Sequence, residues 1–149
     1  MGARVHAAPL AAALLLAAGA GQAAEQASAT LSEALAGNTL SAVMFMPRAA
    51  PKGGGSLDRV VFQAYLRPDG SALMRRWEPD RNAYSTVAVR RWSVSGSTLC
   101  LDFPADERVP RTCVEIHVWG PRLAGNTKGP GQFAMIDGDI EPGNRITAR

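Results

Sequence analysis

The chain is predicted to be all-β, a small antiparallel barrel or sandwich of about seven or eight short strands with a short N-terminal helix and one hairpin disulfide. Three observations carry this. Apolar and polar residues alternate over short segments, most plainly in RVVFQAYLR, where Val60, Phe62, Ala64 and Leu66 share one face. Turn residues such as Pro68-Asp69-Gly70 and Ser95-Gly96-Ser97 recur at close intervals. The only two cysteines, Cys100 and Cys113, flank one apparent hairpin.

The elements follow in order. Residues 1–24 open with Arg4, continue as an apolar run from Ala7 to Ala20 and end in small residues. That is the plan of a secretory signal peptide. The run is shorter than the ~20 residues a membrane-spanning helix needs, so no transmembrane anchor is expected. Residues 25–149 then form a single β-domain, periplasmic or secreted. Arg4 leaves with the leader, so fifteen basic residues face thirteen acidic ones, a net charge of +2. So small a net charge gives no dense basic face, and nucleic acid is not an expected partner.

In EQASATLSEALAG, Ser28 or Thr30 can cap a short helix with Leu31 and Leu35 on one face, and Gly37-Asn38 stops it. NTLSAVMFM reads as a strand and PRAAPKGGGSLD as a loop. RVVFQAYLR, SALMRRWEP and AYSTVAVRRWSV read as strands, the last two separated by the turn DRN. Val87 and Val89 share one parity while Trp92 and Val94 share the other, so a bulge at Arg90-Arg91 is expected. TLCLDF and CVEIHVW follow, then a Gly/Pro-rich loop from Gly120 to Gly131, QFAMIDGDI, the turn EPGN and the terminal RITAR.

Antiparallel pairing of Cys100 with Cys113 satisfies three patterns in one register. Asp102 falls opposite Arg111, an attractive pair. Leu99, Leu101, Phe103, Val114, Ile116 and Val118 land on one face, and Asp102, Arg111, Glu115 and His117 join the cysteines on the other. Directly opposed residues lie within disulfide range, and an oxidising compartment permits the bond. A redox pair would take the form Cys-x-x-Cys, and a metal site would need more ligands than two cysteines and the one histidine of the mature chain.

Candidate chemistry is sparse. No cofactor or metal is expected; Gly53-Gly54-Gly55 follows no strand–helix plan and is no phosphate cradle. His117 offers a lone base. Asp137 and Asp139 offer paired carboxylates, though beside Gly138 they read better as a strand-end turn. The repeated feature is Arg-Arg-Trp, as Arg75, Arg76, Trp77 and again as Arg90, Arg91, Trp92. Arginines beside tryptophans bind anionic or aromatic groups through bidentate contacts and stacking. The competing reading makes Trp77 and Trp92 inward core residues with each arginine pair straddling a strand's exterior.

The succession LAGNTL, AYLRPDG, RRWSVSGSTLC, CVEIHVWG and a late Gly-Asn resembles a group of small secreted bacterial β-proteins of unknown function. The resemblance implies a compact exported β-fold and no particular activity. More loosely the chain is similar to lipocalin-like barrels, but it has Gly37-Asn38-Thr39 where their Gly-x-Trp opening stands. The function expected is a non-enzymatic binding or envelope-associated domain, its partner an anionic envelope component or an extracytoplasmic protein. Two alternatives stand beside it. One is an inhibitor of an extracytoplasmic hydrolase acting through the clamped loop 104–110. The other is an enzyme using His117 or Asp137 and Asp139.

Overall fold

A computed structural model describes residues 30–48, 56–102, 111–127 and 134–146. The segment 1–24 expected to be a leader, Phe103 and residues 104–110 lie outside the described residues. The strands are β1 (Asn38–Arg48), β2 (Ser56–Leu66), β3 (Ser71–Glu78), β4 (Ala83–Tyr84), β5 (Ala88–Ser95), β6 (Thr98–Leu101), β7 (Thr112–Trp119), β8 (Arg122–Asn126) and β9 (Met135–Pro142). Every pairing is antiparallel. Eight strands close in the ring β1-β2-β3-β5-β6-β7-β8-β9, and β4 is an extra strand on β3. Of the two predicted architectures the protein takes the barrel, in whose ring every strand has a neighbour on each side.

Alternation decides what fills it. Leu40, Ala42 and Met44 from β1, Phe62, Ala64 and Leu66 from β2, Ala72 and Met74 from β3, and Leu99 and Leu101 from β6 all point inward and are buried. Val114 and Ile116 from β7, Leu123 from β8 and Ile136 from β9 join them. Large side chains face small ones across the ladder, Phe62 beside Ala42 and Met74 beside Ala64, as a filled barrel of this size requires. Burying each Leu, Met or Phe contributes ~1.5–3 kcal/mol, which is where the fold's driving force lies.

One end is sealed by local sequence signals. Residues 30–35 are helical and set Leu35 into the core, with Leu31 packed against it. The Asn38 side-chain amide donates to the Ala34 carbonyl (2.9 Å), and the Gly37 N–H leaves the helix for the Leu66 carbonyl (2.7 Å). Trp92 is buried, and its indole N–H donates to the Arg67 carbonyl (2.8 Å), which ties the core to the Pro68-Asp69-Gly70 turn. Buried Thr39 donates its hydroxyl to the Gly143 carbonyl (2.7 Å) and accepts from the Arg145 N–H (2.9 Å), holding the C-terminal segment over the start of β1.

At that turn the Asp69 carboxylate accepts from the Ser71 hydroxyl (2.6 Å) and N–H (2.8 Å). These bonds, the hydroxyl's first, hold its pKa below the ordinary carboxylate value. A depressed folded value means the stabilisation is present above the unfolded pKa of about 4 and is lost as pH falls through the lower folded one. Carboxyl-detected NMR titration is expected to find Asp69 among the last aspartates to protonate. Asp69→Ala should flatten the acid limb of a stability–pH curve; an unchanged limb would mean that these bonds persist in the unfolded chain.

Three expectations need correction. No bulge interrupts β5: Arg91 pairs with Ser71 and Arg90 with Ala72 without a break, so Ala88, Arg90, Trp92 and Val94 face inward. Val87 and Val89 are outward and exposed, which removes the parity conflict. The stretch from Gly120 onward is not all loop, because 122–126 form β8, paired on both edges. Gly125 misled there: it reads as loop, but a Cβ at that position would collide with the Glu115 carbonyl, so the glycine lets two strands pack closely. Asp137-Gly138-Asp139 is no strand-end turn and lies within β9.

Candidate functional site

The hairpin predicted from the cysteines forms in the register derived. Cys100 and Cys113 are disulfide-bonded with Cα atoms 4.0 Å apart, and Leu99 lies opposite Val114. Arg111 pairs with Asp102 at 3.5 Å and donates to the Ser93 hydroxyl at 2.7 Å. His117 lies exposed on the same outer face, opposite Ala124.

The two Arg-Arg-Trp copies have opposite parity, so the barrel treats them differently. Trp92 faces in, whereas Trp77 faces out; the reading of Trp77 as an inward core residue is corrected by the β3 register, which places Ala72, Met74 and Arg76 on the inner parity. For the same reason neither arginine pair straddles an exterior: Arg76 and Arg90 follow the inner parity, and Arg75 and Arg91 the outer. The Arg90 Nη1 donates to the Val89 carbonyl (3.3 Å), while its Nε is buried without a hydrogen bond. Arg91 is exposed opposite Ser71.

Two grooves gather the remaining polar chemistry. The first, about 420 Å³, lies where β2 and β3 meet the 3-10 turn Pro79–Arg81. Arg59, Arg76 and Arg81 line it with Trp77, against Glu78 and Asp80. Arg81 reaches Glu78 at 3.2 Å, an exposed pair contributing ~0–1 kcal/mol. The second groove, about 290 Å³, lies on the outer wall over β1, β2 and β9. Its sides carry Tyr84, Arg122, Asp137 and Asp139, and its floor includes Val43 and Val61.

A polar row stands beside that outer groove. Register places Arg75, Gln63, Ser41, Asp139 and Arg122 side by side on five consecutive strands. Arg75 donates twice to the Gln63 side-chain oxygen (2.9 and 2.7 Å). Gln63 donates to the Ser41 hydroxyl (3.1 Å), which donates to Glu141 (2.6 Å). Arg122 bridges Asp137 (2.7 Å) and Asp139 (3.3 Å), and the bond to Asp137 leads in raising the guanidinium pKa. Tyr84 is gripped by the Arg75 guanidinium over its face (4.5 Å) and Trp77 at its edge (5.3 Å between centroids).

The structure thus joins Arg75 and Trp77 around Tyr84, places Arg76 and Trp77 in the first groove, and leaves Arg90, Arg91 and Trp92 outside both. Tyr84, Gln63, Ser41, Arg59 and Arg122 were missed from sequence. Arg122 follows Gly120-Pro121, the usual mark of a loop, and Tyr84 belongs to a two-residue strand with no periodicity of its own. Among the described residues no group of His, Cys, Asp and Glu side chains is arranged to hold a metal ion, and no helix is long and apolar enough to cross a membrane. No family model matches this chain, and comparisons with curated proteins and with solved structures found no match either.

Proposed function

We propose that this chain is an exported, non-enzymatic binding domain, periplasmic or secreted, that engages a phosphate- or carboxylate-bearing component of the cell envelope. The observation that carries the reading is the first groove, where three arginines beside Trp77 outnumber the carboxylates of Glu78 and Asp80, on a barrel whose interior is filled by its own side chains. With the interior occupied by Phe62, Met74, Leu99 and their neighbours, recognition falls to the outside. Arginine suits anion recognition because its planar fork donates two parallel hydrogen bonds to one phosphate or carboxylate. The neighbouring indole adds a stacking surface. The opening leader and the Cys100–Cys113 disulfide both suit an oxidising compartment.

The test is cosedimentation of the disulfide-bonded mature protein with phosphatidylglycerol-containing vesicles, run against pure phosphatidylcholine vesicles over a salt series. Binding to the anionic vesicles alone is expected, falling steeply as salt screens the charges. Arg59→Ala with Arg81→Ala should weaken it ~10-fold or more with no loss of melting temperature, since both side chains are exposed. Equal binding to both vesicles, or binding indifferent to salt, would sink the reading.

A further inference from the structure

The outer groove beside Tyr84 has a different chemistry from the arginine groove, and it is built by a different device. β4 belongs to no part of the barrel ring. The chain leaves β3 through Pro79–Arg81, reverses at Asn82 in the left-handed conformation (φ 49°) and lays Ala83–Tyr84 back along Trp77 and Glu78. The Ser85 N–H then bonds the Arg76 carbonyl (2.8 Å), and the Arg76 N–H bonds the Ser85 hydroxyl (3.1 Å). The excursion adds almost nothing to the core, because Ala83 is exposed and Tyr84 half-buried. What it does is place one aromatic ring as a wall over the outer surface of β1 and β2, locked by Arg75 and Trp77.

The opposite wall is mixed in charge. Asp137 and Asp139 contribute two negative charges and Arg122 one positive charge between them. An anion entering here meets two carboxylates, and a cation meets a guanidinium, so neither finds a complementary field. A neutral ligand rich in hydroxyls meets no such conflict. Each carboxylate has lone pairs beyond the one that Arg122 occupies, and the guanidinium has five N–H donors, more than its two ion-pair contacts use. The Ser41 hydroxyl lies beside them. Between the polar wall and Tyr84, Val43 and Val61 give an apolar floor. A sugar ring has this duality: hydroxyls around its rim, which pair with carboxylates and guanidinium, and C–H faces that pack on an aromatic ring and aliphatic floor. The groove, about 290 Å³, is at the small end for a ligand site and suits a single ring, with neighbouring rings of a longer chain extending past its open ends.

We infer that the outer groove formed by Tyr84, Val43, Val61, Arg122, Asp137 and Asp139 is a binding site for one ring of a neutral oligosaccharide. It is a second site, and it shares no lining residue with the arginine groove. Its walls are held before any ligand arrives, Tyr84 by two partners and the carboxylates by Arg122, so little side-chain freedom is lost on binding.

The test uses the disulfide-bonded mature protein, 15N-labelled, titrated with four neutral hexasaccharides: β-1,4-glucan, α-1,4-glucan, β-1,4-mannan and β-1,4-linked N-acetylglucosamine. At least one is expected to shift the amide signals of Val43, Val61, Tyr84, Asp137 and Asp139 in a saturable way, with affinity unchanged between low and high salt. Tyr84→Ala should weaken that binding ~10-fold or more. Asp137→Asn, which keeps the shape of the wall and changes its acceptors, should weaken it several-fold while the melting temperature stays put. Arg59→Ala with Arg81→Ala should leave it untouched, so failure of the anion reading and failure of this one are separately visible. The inference is overturned if none of the four moves those signals. It is also overturned if spermidine or inorganic phosphate moves them in their place, or if Tyr84→Ala binds sugar as well as the parent while still folded.

Discussion

Replacing Cys100 and Cys113 together with alanine is expected to lower the unfolding free energy by about 3 kcal/mol. The bond links strands β6 and β7 across a sequence separation of 13, and closing a loop of that size removes roughly this much entropy from the unfolded chain. Packing contributes little to the loss. Both sulfurs lie on the outer face, Cys113 is exposed, and alanine there opens no cavity in the core. The barrel should still close, because Leu99 opposite Val114 and Leu101 opposite Thr112 hold the same register from inside. The Arg111–Asp102 pair outside contributes ~0–1 kcal/mol and cannot replace the staple. Urea unfolding monitored through tryptophan fluorescence measures the difference. The expected result is one cooperative transition at lower urea, with a slope equal to or slightly above the parent's because the unlinked chain expands further. Parent protein treated with reductant should shift by the same amount. A variant midpoint equal to that of the oxidised parent would mean that the unfolded chain is already confined without the bond.

The reason this hairpin was legible from sequence is that three kinds of signal constrained one register: cysteines, a charge pair and apolar alternation. Where only one kind of signal existed, reading failed in a physically specific way. β8 has one inward apolar side chain, Leu123, and a glycine at its next inward position, so it carries no alternation to detect. It is a strand because β7 and β9 both pair with it. The conflict in β5 arose from taking Val87 and Val89 as core residues, whereas β-branched residues also suit an exposed strand surface. Trp77 was misplaced because a tryptophan suggests a core. Here its ring is used on the outside, against Tyr84. The candidate grooves were legible only in fragments. Arg76, Trp77, Asp137 and Asp139 stood out as residue types, but the row Arg75–Gln63–Ser41–Asp139–Arg122 joins strands from both ends of the chain. Nothing local announces it. It exists only once β1 has paired with β2 on one side and β9 on the other, which is the closure of the barrel itself.

That closure sets the second large effect: Gly138→Ala is expected to cost about 3 kcal/mol, at the upper end for an added methyl group. Gly138 faces inward from β9 onto β1, opposite Ala42. A Cβ there would stand 2.6 Å from the Ser41 carbonyl oxygen, 2.6 Å from the Ala42 Cβ and 2.8 Å from the Ala42 Cα. Two of those three atoms are backbone, which cannot swing aside as a side-chain tip can, so relief requires β9 to move away from β1. The ladder between them runs from Asn38–Pro142 to Phe45–Met135 and is one of the seams that make the ring. Gly143 provides the contrast. It has open space around its missing Cβ and a φ of +73°, so alanine there meets only conformational strain of ~1–2 kcal/mol. Combining Gly138→Ala with Ala42→Gly separates backbone from side-chain crowding. The second change removes the Ala42 Cβ contact, leaves the Ser41 oxygen and Ala42 Cα in place, and itself costs ~0.5–1 kcal/mol in strand entropy. The double variant is therefore expected to be no more stable than Gly138→Ala alone. Recovery of the parent's urea midpoint would show that β1 and β9 have room between their backbones and that side-chain volume alone selected the glycine. Because Asp137 and Asp139 flank this residue on the outward side, the seam that demands a glycine also positions the two carboxylates that clamp Arg122.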